Sequence, residues 1–180
     1  ELNQSSLSAH VPQKILTGTI AEKCLFLRSL FQADGSVRTR NEDGRNSGDV
    51  VLTSISEELV HEVQLLLLNL GIYSNISRSV DPRDNRHDLY QLTIAYESER
   101  RKYAQLIGFI SSENTQKLNE LNKLIAGKRK NTTSELTVVS IDYIGDETVY
   151  DIQTETAQFS ANGITVHNCF ILSVEDDLVN

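Results

Sequence analysis

The sequence has no methionine, two cysteines and no long apolar run, and each shortage excludes something. Without methionine there is no initiator at Glu1, so the chain reads as a piece of something longer or as a processed product. Cys24 and Cys169 lie far apart and fit neither a zinc spacing nor a Cys-x-x-Cys motif, which argues against a disulfide framework. The longest purely apolar runs, such as Leu65 to Leu68, are about one helical turn, far short of the ~20 residues that span a bilayer. No basic start followed by an apolar core marks a signal peptide, so a cytoplasmic protein is the default expectation. A net charge of -8 argues against a generic phosphate-binding surface, and any DNA contact must be local.

What is present reads as a soluble globular chain, with 39% hydrophobic and 23% charged residues. Helical spacing of Leu25, Phe26, Leu30 and Phe31 predicts a helix from Ala21 to Ala33, stopped at Asp34-Gly35. A hairpin is expected next, Ser36 to Arg40 and Asp49 to Thr53, joined by the polar loop Asn41 to Gly48. Ser56 and Glu57-Glu58 open a second helix through Val60, Val63, Leu66, Leu67 and Leu70, which Gly71 ends. Strands Tyr73 to Val80 and Leu89 to Ala95 flank a turn at Asp81 to Asn85, and helices follow at Glu97 to Ile110 and Thr115 to Ile125.

Composition shifts at Gly127 to Ser134, a basic then polar stretch read as a linker. Beyond it everything is strand-like: Leu136 to Ile144, Thr148 to Thr154, Phe159 to Ala161, and Ile164 to Val166 after the Asn162-Gly163 turn. A domain boundary is placed near residue 130.

The segment Leu27-Arg28-Ser29-Leu30-Phe31-Gln32-Ala33-Asp34-Gly35 resembles the nine-residue signature of LAGLIDADG homing endonucleases. Its helix, strand, strand, helix, strand, strand, helix order is that family's α+β repeat, αββαββα. His10-Val11-Pro12-Gln13-Lys14-Ile15 and the stretch from Leu52 to Ile72 are also similar to regions around the family's second copy. The resemblance implies paired signature helices, and Ser29 and Ala33, four residues apart, suit such a contact. It also implies that Asp34 contributes to catalysis and holds Mg²⁺ together with the carboxylate of a second copy. A hard carboxylate is an apt ligand for that ion, which polarises a scissile phosphate and activates water. Gln32 stands where the family often has Asp.

The strands would then form a saddle over double-stranded DNA, with alternate side chains toward the groove. Arg38 and Arg40 share one face of the first strand, and Arg78, Arg83 and Arg86 cluster around the second hairpin. These five are the candidate DNA-binding residues, with acidic neighbours at Glu42, Asp43, Asp81, Asp84 and Asp88.

A second chemical site begins at Val149-Tyr150-Asp151-Ile152-Gln153-Thr154. With Phe159 to Val166 and His167-Asn168-Cys169 it resembles the C-terminal splicing motifs of inteins, the closing β segment of an all-β Hint (Hedgehog/intein) domain. The order suits the chemistry. Asn168 can close a succinimide on its own carbonyl and release the bond to Cys169, an intramolecular step favoured by high effective concentration. His167 can donate a proton beside that bond, and Cys169 offers a thiolate acceptor for the upstream segment. The resemblance adds Asp151 as a coordinating catalytic residue. Ala157 departs from it, because a His that assists cyclisation usually stands there, two residues before the Phe.

Cys169 to Leu178 is similar to a segment of the ribonucleotide reductase large subunit that begins at an active-site cysteine. The domain reading is thus a lead-in at 1–20, the endonuclease repeat at 21–127, a linker at 128–135, the splicing segment at 136–168 and a host stub at 169–180. The implied function is protein splicing with an associated DNA endonuclease. Its partners are double-stranded DNA and an N-terminal intein part in cis or trans, with no membrane and no cofactor for splicing. A non-cleaving, dimeric DNA-binding protein of the LAGLIDADG fold is the alternative. A third option keeps the nuclease half but not splicing.

Overall fold

The computed structural model describes residues 5–42, 45–80, 87–124, 138–148, 150, 152–161 and 164–167. The chain divides into two compact units, Glu1–Thr133 and Ser134–Asn180.

The first unit begins with a one-turn helix, α1 (Gln13–Leu16), and then α2 (Ile20–Asp34). A capping box starts α2: the Thr19 hydroxyl accepts from the Glu22 amide, and the Glu22 carboxylate accepts from the Thr19 amide at 2.8 Å. That Thr-Ile-Ala-Glu pattern is visible in the sequence and sets the start one residue before the expected Ala21. Leu27 and Phe31 from α2 are fully buried. The helix passes without a loop into β1 (Gly35–Glu42). Gly35 has φ -96, so conformation does not demand glycine there. Close approach does: an added Cβ would lie 2.5 Å from the Phe31 carbonyl oxygen.

β1 pairs antiparallel with β2 (Arg45–Ser54), in the register Arg38↔Asp49 through Glu42↔Arg45. The expected polar loop from Asn41 to Gly48 is therefore mostly strand, with only Asp43 and Gly44 between the last paired residues. Asp-Gly between strands is itself a strong two-residue hairpin signal, obscured in the sequence by the polarity of its neighbours.

α3 (Glu57–Asn69) starts at Ser56, whose hydroxyl accepts from the Leu59 amide, and Gly71 follows it in the left-handed region at φ +69. β3 (Asn75–Ser79) and β4 (Leu89–Ile94) complete a four-stranded antiparallel sheet of order β1-β2-β4-β3. α4 (Glu97–Leu106) is shorter than the expected helix to Ile110, because Gly108 turns left-handed at φ +65. α5 (Ser112–Leu124) starts three residues earlier than expected, with Ser111 Oγ accepting from the Asn114 amide.

The sheet's pleat sorts its side chains. Val37, Val50, Leu52, Ile76, Tyr90, Leu92 and Ile94 face the helices and join one core with Leu27, Phe31, Val63, Leu67, Tyr103 and Leu118. Val11 from the lead-in is buried in the same core, and its amide donates to Glu62 at 2.6 Å. Each such fully buried side chain contributes about 1.5–3 kcal/mol. Arg100 is buried as well, bonded to Asn122 and to the Gly48 and Ala95 carbonyls. It ties α4 and α5 to β2.

Among its described residues the second unit contains one hairpin, β5 (Gln158–Ala161) and β6 (Ile164–His167), paired from Gln158↔His167 to Ala161↔Ile164. The expected strands at 136–144 and 148–154 do not form among their described residues. Alternating apolar residues make a strand only when a ladder partner is present. Here Val139, Ile141, Tyr143 and Tyr150 are more than four-fifths exposed. No helix among the described residues is long and apolar enough to cross a membrane.

Candidate functional site

Asp34 is the last residue of α2 and is exposed, at the end where unpaired carbonyls and the helix dipole favour a cation. It makes no hydrogen bond or ion pair among the described residues, and no cluster of three or more His, Cys, Asp or Glu side chains lies among them. One carboxylate is thus poised at the sheet end of α2, without partners among the described residues of the first unit. Four residues apart along α2, Ala21, Leu25, Ser29 and Ala33 form an exposed stripe ending beside Asp34. The stripe is mostly small side chains. Gln32 has turned to another task, its Oε1 accepting from the Ile110 and Ser111 amides at 3.0 and 2.8 Å. It fastens the start of α5 to α2.

The sheet face away from the helices carries Ser36, Arg38, Arg40, Ser47, Asp49, Val51, Thr53, Asn75, Ser77, Gln91 and Thr93, as the paired registers require. None of these joins the apolar core. Arg38 donates from Nε to Asp49 Oδ1 at 2.7 Å and from Nη1 to Gln91 Oε1 at 2.9 Å. Arg40 Nη1 lies 3.1 Å from the other Asp49 oxygen, and Gln91 Nε2 donates to Thr93 Oγ1 at 3.3 Å. Asp49 and Gln91 were not among the sequence candidates. The register from Glu42↔Arg45 onward is the signal that pairs Asp49 with Arg38.

Arg78 is not brought to this face. It pairs with Tyr90 across β3 and β4, on the parity of Ile76 and Leu92. Its guanidinium lies 5.9 Å from the Tyr90 ring centroid and pairs with Asp88. The hydrogen bond to Asp88 raises the Arg78 pKa, as the Glu57 carboxylate accepting the Tyr90 hydroxyl raises that of Tyr90. Arg83 and Arg86 lie outside the described residues.

Of the splicing candidates, His167 closes β6, opposite Gln158. Asp151, Asn168 and Cys169 lie outside the described residues. Ala157 stands just before β5 with φ 54, the described non-glycine residue in the left-handed region, and its amide donates to the Thr154 carbonyl. Such a conformation costs an L-residue about 1–2 kcal/mol.

Residues 21–108 match the model of the LAGLIDADG-like domain. A DNA polymerase of Thermococcus sp. (strain GE8) is 32% identical over 153 residues, 79% of this chain and 9% of that protein. The ribonucleoside-diphosphate reductase NrdEB subunit alpha of Bacillus subtilis (strain 168) is 27% identical over 175 residues, 88% of this chain and 16% of that protein. A replicative DNA helicase DnaB of Synechocystis sp. is 28% identical over 131 residues, 73% of this chain and 15% of that protein. The matched segment spans between 9% and 16% of the length of these relatives.

Proposed function

We propose, on the premise that residues 21–108 carry a LAGLIDADG-like domain, that the chain is the C-terminal part of an inserted, self-splicing element with a DNA endonuclease half. The carrying observation is that similar sequence recurs in a polymerase, a reductase and a helicase while occupying a small share of each. Three enzymes of unrelated chemistry have no shared step that one such segment could serve. A portable element explains the recurrence, and the end of this chain has the residues to remove one.

In the splicing reaction the Cys169 thiolate first receives the upstream segment as a thioester, as the ester or thioester bond that held that segment to the nucleophile of the N-terminal intein part breaks and that nucleophile leaves. The Asn168 side-chain nitrogen then attacks its own backbone carbonyl carbon. A C–N bond forms, the peptide bond to Cys169 breaks, and the amine of Cys169 leaves with a proton supplied by His167. Asp151 coordinates these steps. The acyl donor is an N-terminal intein part, in cis or in trans, and the host is a ribonucleotide reductase large subunit.

For the nuclease, the exposed Asp34 carboxylate fits one side of a divalent-ion site, and a second LAGLIDADG copy supplies the other. Mg²⁺ there would polarise the scissile phosphate and lower the pKa of the attacking water. The Ala21-Leu25-Ser29-Ala33 stripe presents the surface such a copy needs, and the polar sheet face is the DNA surface. A second reading, DNA binding without cleavage by a dimer, is favoured by Gln32, which stands where the family often has Asp and is committed to the Ile110 and Ser111 amides.

The test is intact-mass analysis of the purified chain, with and without dithiothreitol, beside Asn168→Ala. Loss of the mass of residues 169–180 in the chain but not the variant is expected. If none is lost even after an N-terminal intein part is added in trans, the splicing reading fails. Mg²⁺-dependent nicking of DNA, abolished by Asp34→Asn, separates the endonuclease from the non-cleaving dimer.

A further inference from the structure

The polar face of the sheet holds a hydrogen-bonded track across three strands, and its centre is Arg38. Asp49 lies opposite Arg38 on β2, whereas Gln91 lies opposite Thr53, four residues further along the same strand. The bond from Arg38 to Gln91 therefore crosses β2 diagonally, over Val51, which is 2% exposed although it belongs to this face. The Arg38 guanidinium is held at two corners, by Asp49 and by Gln91. Two of its five N–H donors are committed, one to Asp49 and one to Gln91. Gln91 is held in its turn, because donating from Nε2 to Thr93 leaves Oε1 toward Arg38.

Arg40 differs. It stands nearer the hairpin tip, more exposed, and its recorded partner is the second oxygen of Asp49. A flexible arginine at a rim suits a phosphate, which takes charge from any direction. A flat guanidinium, fixed in the middle of a strand ribbon with its remaining donors uncommitted, suits a base edge. In the major groove the partner matching two parallel N–H donors is guanine, through O6 and N7.

We propose that Arg38 reads a guanine in the major groove of the DNA bound by this sheet, and that Asp49 and Gln91 are positioning residues that hold its guanidinium for that contact. The assignment rests on the DNA-binding reading given above and adds to it which side chain carries sequence information. Asp49 has a second effect. By neutralising charge beside Arg38 and Arg40 it lowers general affinity for phosphate, so that its removal strengthens indiscriminate binding while weakening discrimination.

The experiment is selection from a randomised double-stranded DNA library with the full chain and with Arg38→Ala, Arg40→Ala, Asp49→Asn and Gln91→Ala, each checked for native circular dichroism. The wild-type chain is expected to enrich a guanine at one position. Arg38→Ala, Asp49→Asn and Gln91→Ala should reduce that preference about tenfold or more, with the other positions unchanged. Asp49→Asn should also hold bulk DNA as well as or better than wild type, which a merely damaged fold would not. Arg40→Ala should weaken binding to all sequences alike. Gln91 lies on the sheet surface, so its variant keeps the test open if Asp49→Asn does not fold. An unchanged guanine preference in folded Asp49→Asn and Gln91→Ala overturns the assignment and leaves DNA binding standing. Failure of the wild-type chain to retain any DNA overturns the DNA-binding reading and this assignment with it.

Discussion

The two units of this chain obey the same rules of patterning and end in different states. In the first, apolar residues at helical and strand spacing find one another: four strands and the packing helices close a core in which Leu27, Phe31, Val50, Val63, Leu67, Leu92, Ile94 and Tyr103 are fully buried. In the second, Val139, Ile141 and Tyr143 alternate with Ser140 and Asp142 as a strand would, yet stand exposed, and the hairpin of β5 and β6 is the regular structure among the described residues. Hydrophobic pattern specifies which face a segment will bury, and the burial itself needs a partner. The unit with the less complete packing carries the more specific chemical motif, His167-Asn168-Cys169. That is the expected relation if the second unit is completed by chain from elsewhere.

The largest effect that can break this comparison is on stability. Phe31→Ala removes a fully buried ring that packs 5.1 Å, centroid to centroid, from Tyr103, and should cost about 3–5 kcal/mol. Ile141→Ala removes a side chain that is 90% exposed and should shift stability by less than about 0.5 kcal/mol. Urea unfolding followed by far-ultraviolet circular dichroism compares them. Equal costs would mean that Ile141 is covered in solution and that the contrast between the units is wrong.

The comparison also shows why some elements were legible in the sequence. α2, α3 and the β3–β4 hairpin announce themselves through apolar period, caps and turn residues, and their bounds fall within a residue or three of expectation. The β1–β2 hairpin is less legible, because its distal half, Asn41 to Gly48, is polar on both faces and pattern cannot distinguish an exposed strand from a loop. Gly108 ends α4 early because a left-handed glycine outweighs the apolar run beyond it. In the candidate site, Asp34 is singled out by the resemblance of the segment Leu27 to Gly35 to a family signature, and Arg38 by its residue type and its place on the expected strand. Asp49 and Gln91 are not, since their meaning lies in a register across three strands. Arg78 misled by proximity in sequence: its strand has the right polarity, but its parity puts it against Tyr90 on the opposite face.

A smaller effect sharpens the contrast on the chemical side. Ala157 holds a left-handed turn immediately before β5, in the place where the resemblance to intein splicing motifs calls for His. Histidine is among the residues enriched at positive φ, so Ala157→His fits the backbone as well as restoring a proton donor. The rate of release at Asn168 should rise about tenfold or more, read as the half-time for loss of residues 169–180. Ala157→Asn, which suits the same backbone without the imidazole, should leave the rate near wild type. If both variants accelerate release equally, relief of the turn and not proton transfer is responsible.

The smallest effect concerns the entry to α2, where the first unit's order begins. Hydrogen bonds from the Thr19 amide and hydroxyl hold the Glu22 carboxyl below its ordinary 4.5. A carboxylate whose pKa is depressed on folding contributes stability above its unfolded value, and that contribution is lost as pH falls through the folded one. Thr19→Ala, which removes the N-cap hydroxyl, should lower the urea midpoint near pH 7, and less of the wild-type advantage should remain in acid once Glu22 is protonated. Glu22→Gln retains a side chain able to accept from the Thr19 amide but cannot titrate. The urea midpoint of that variant should fall less steeply than wild type between about pH 5 and about pH 3. Parallel pH profiles for the two would assign the acid sensitivity of the first unit to other carboxylates, and would leave the capping box a purely geometric start to the helix that ends at Asp34.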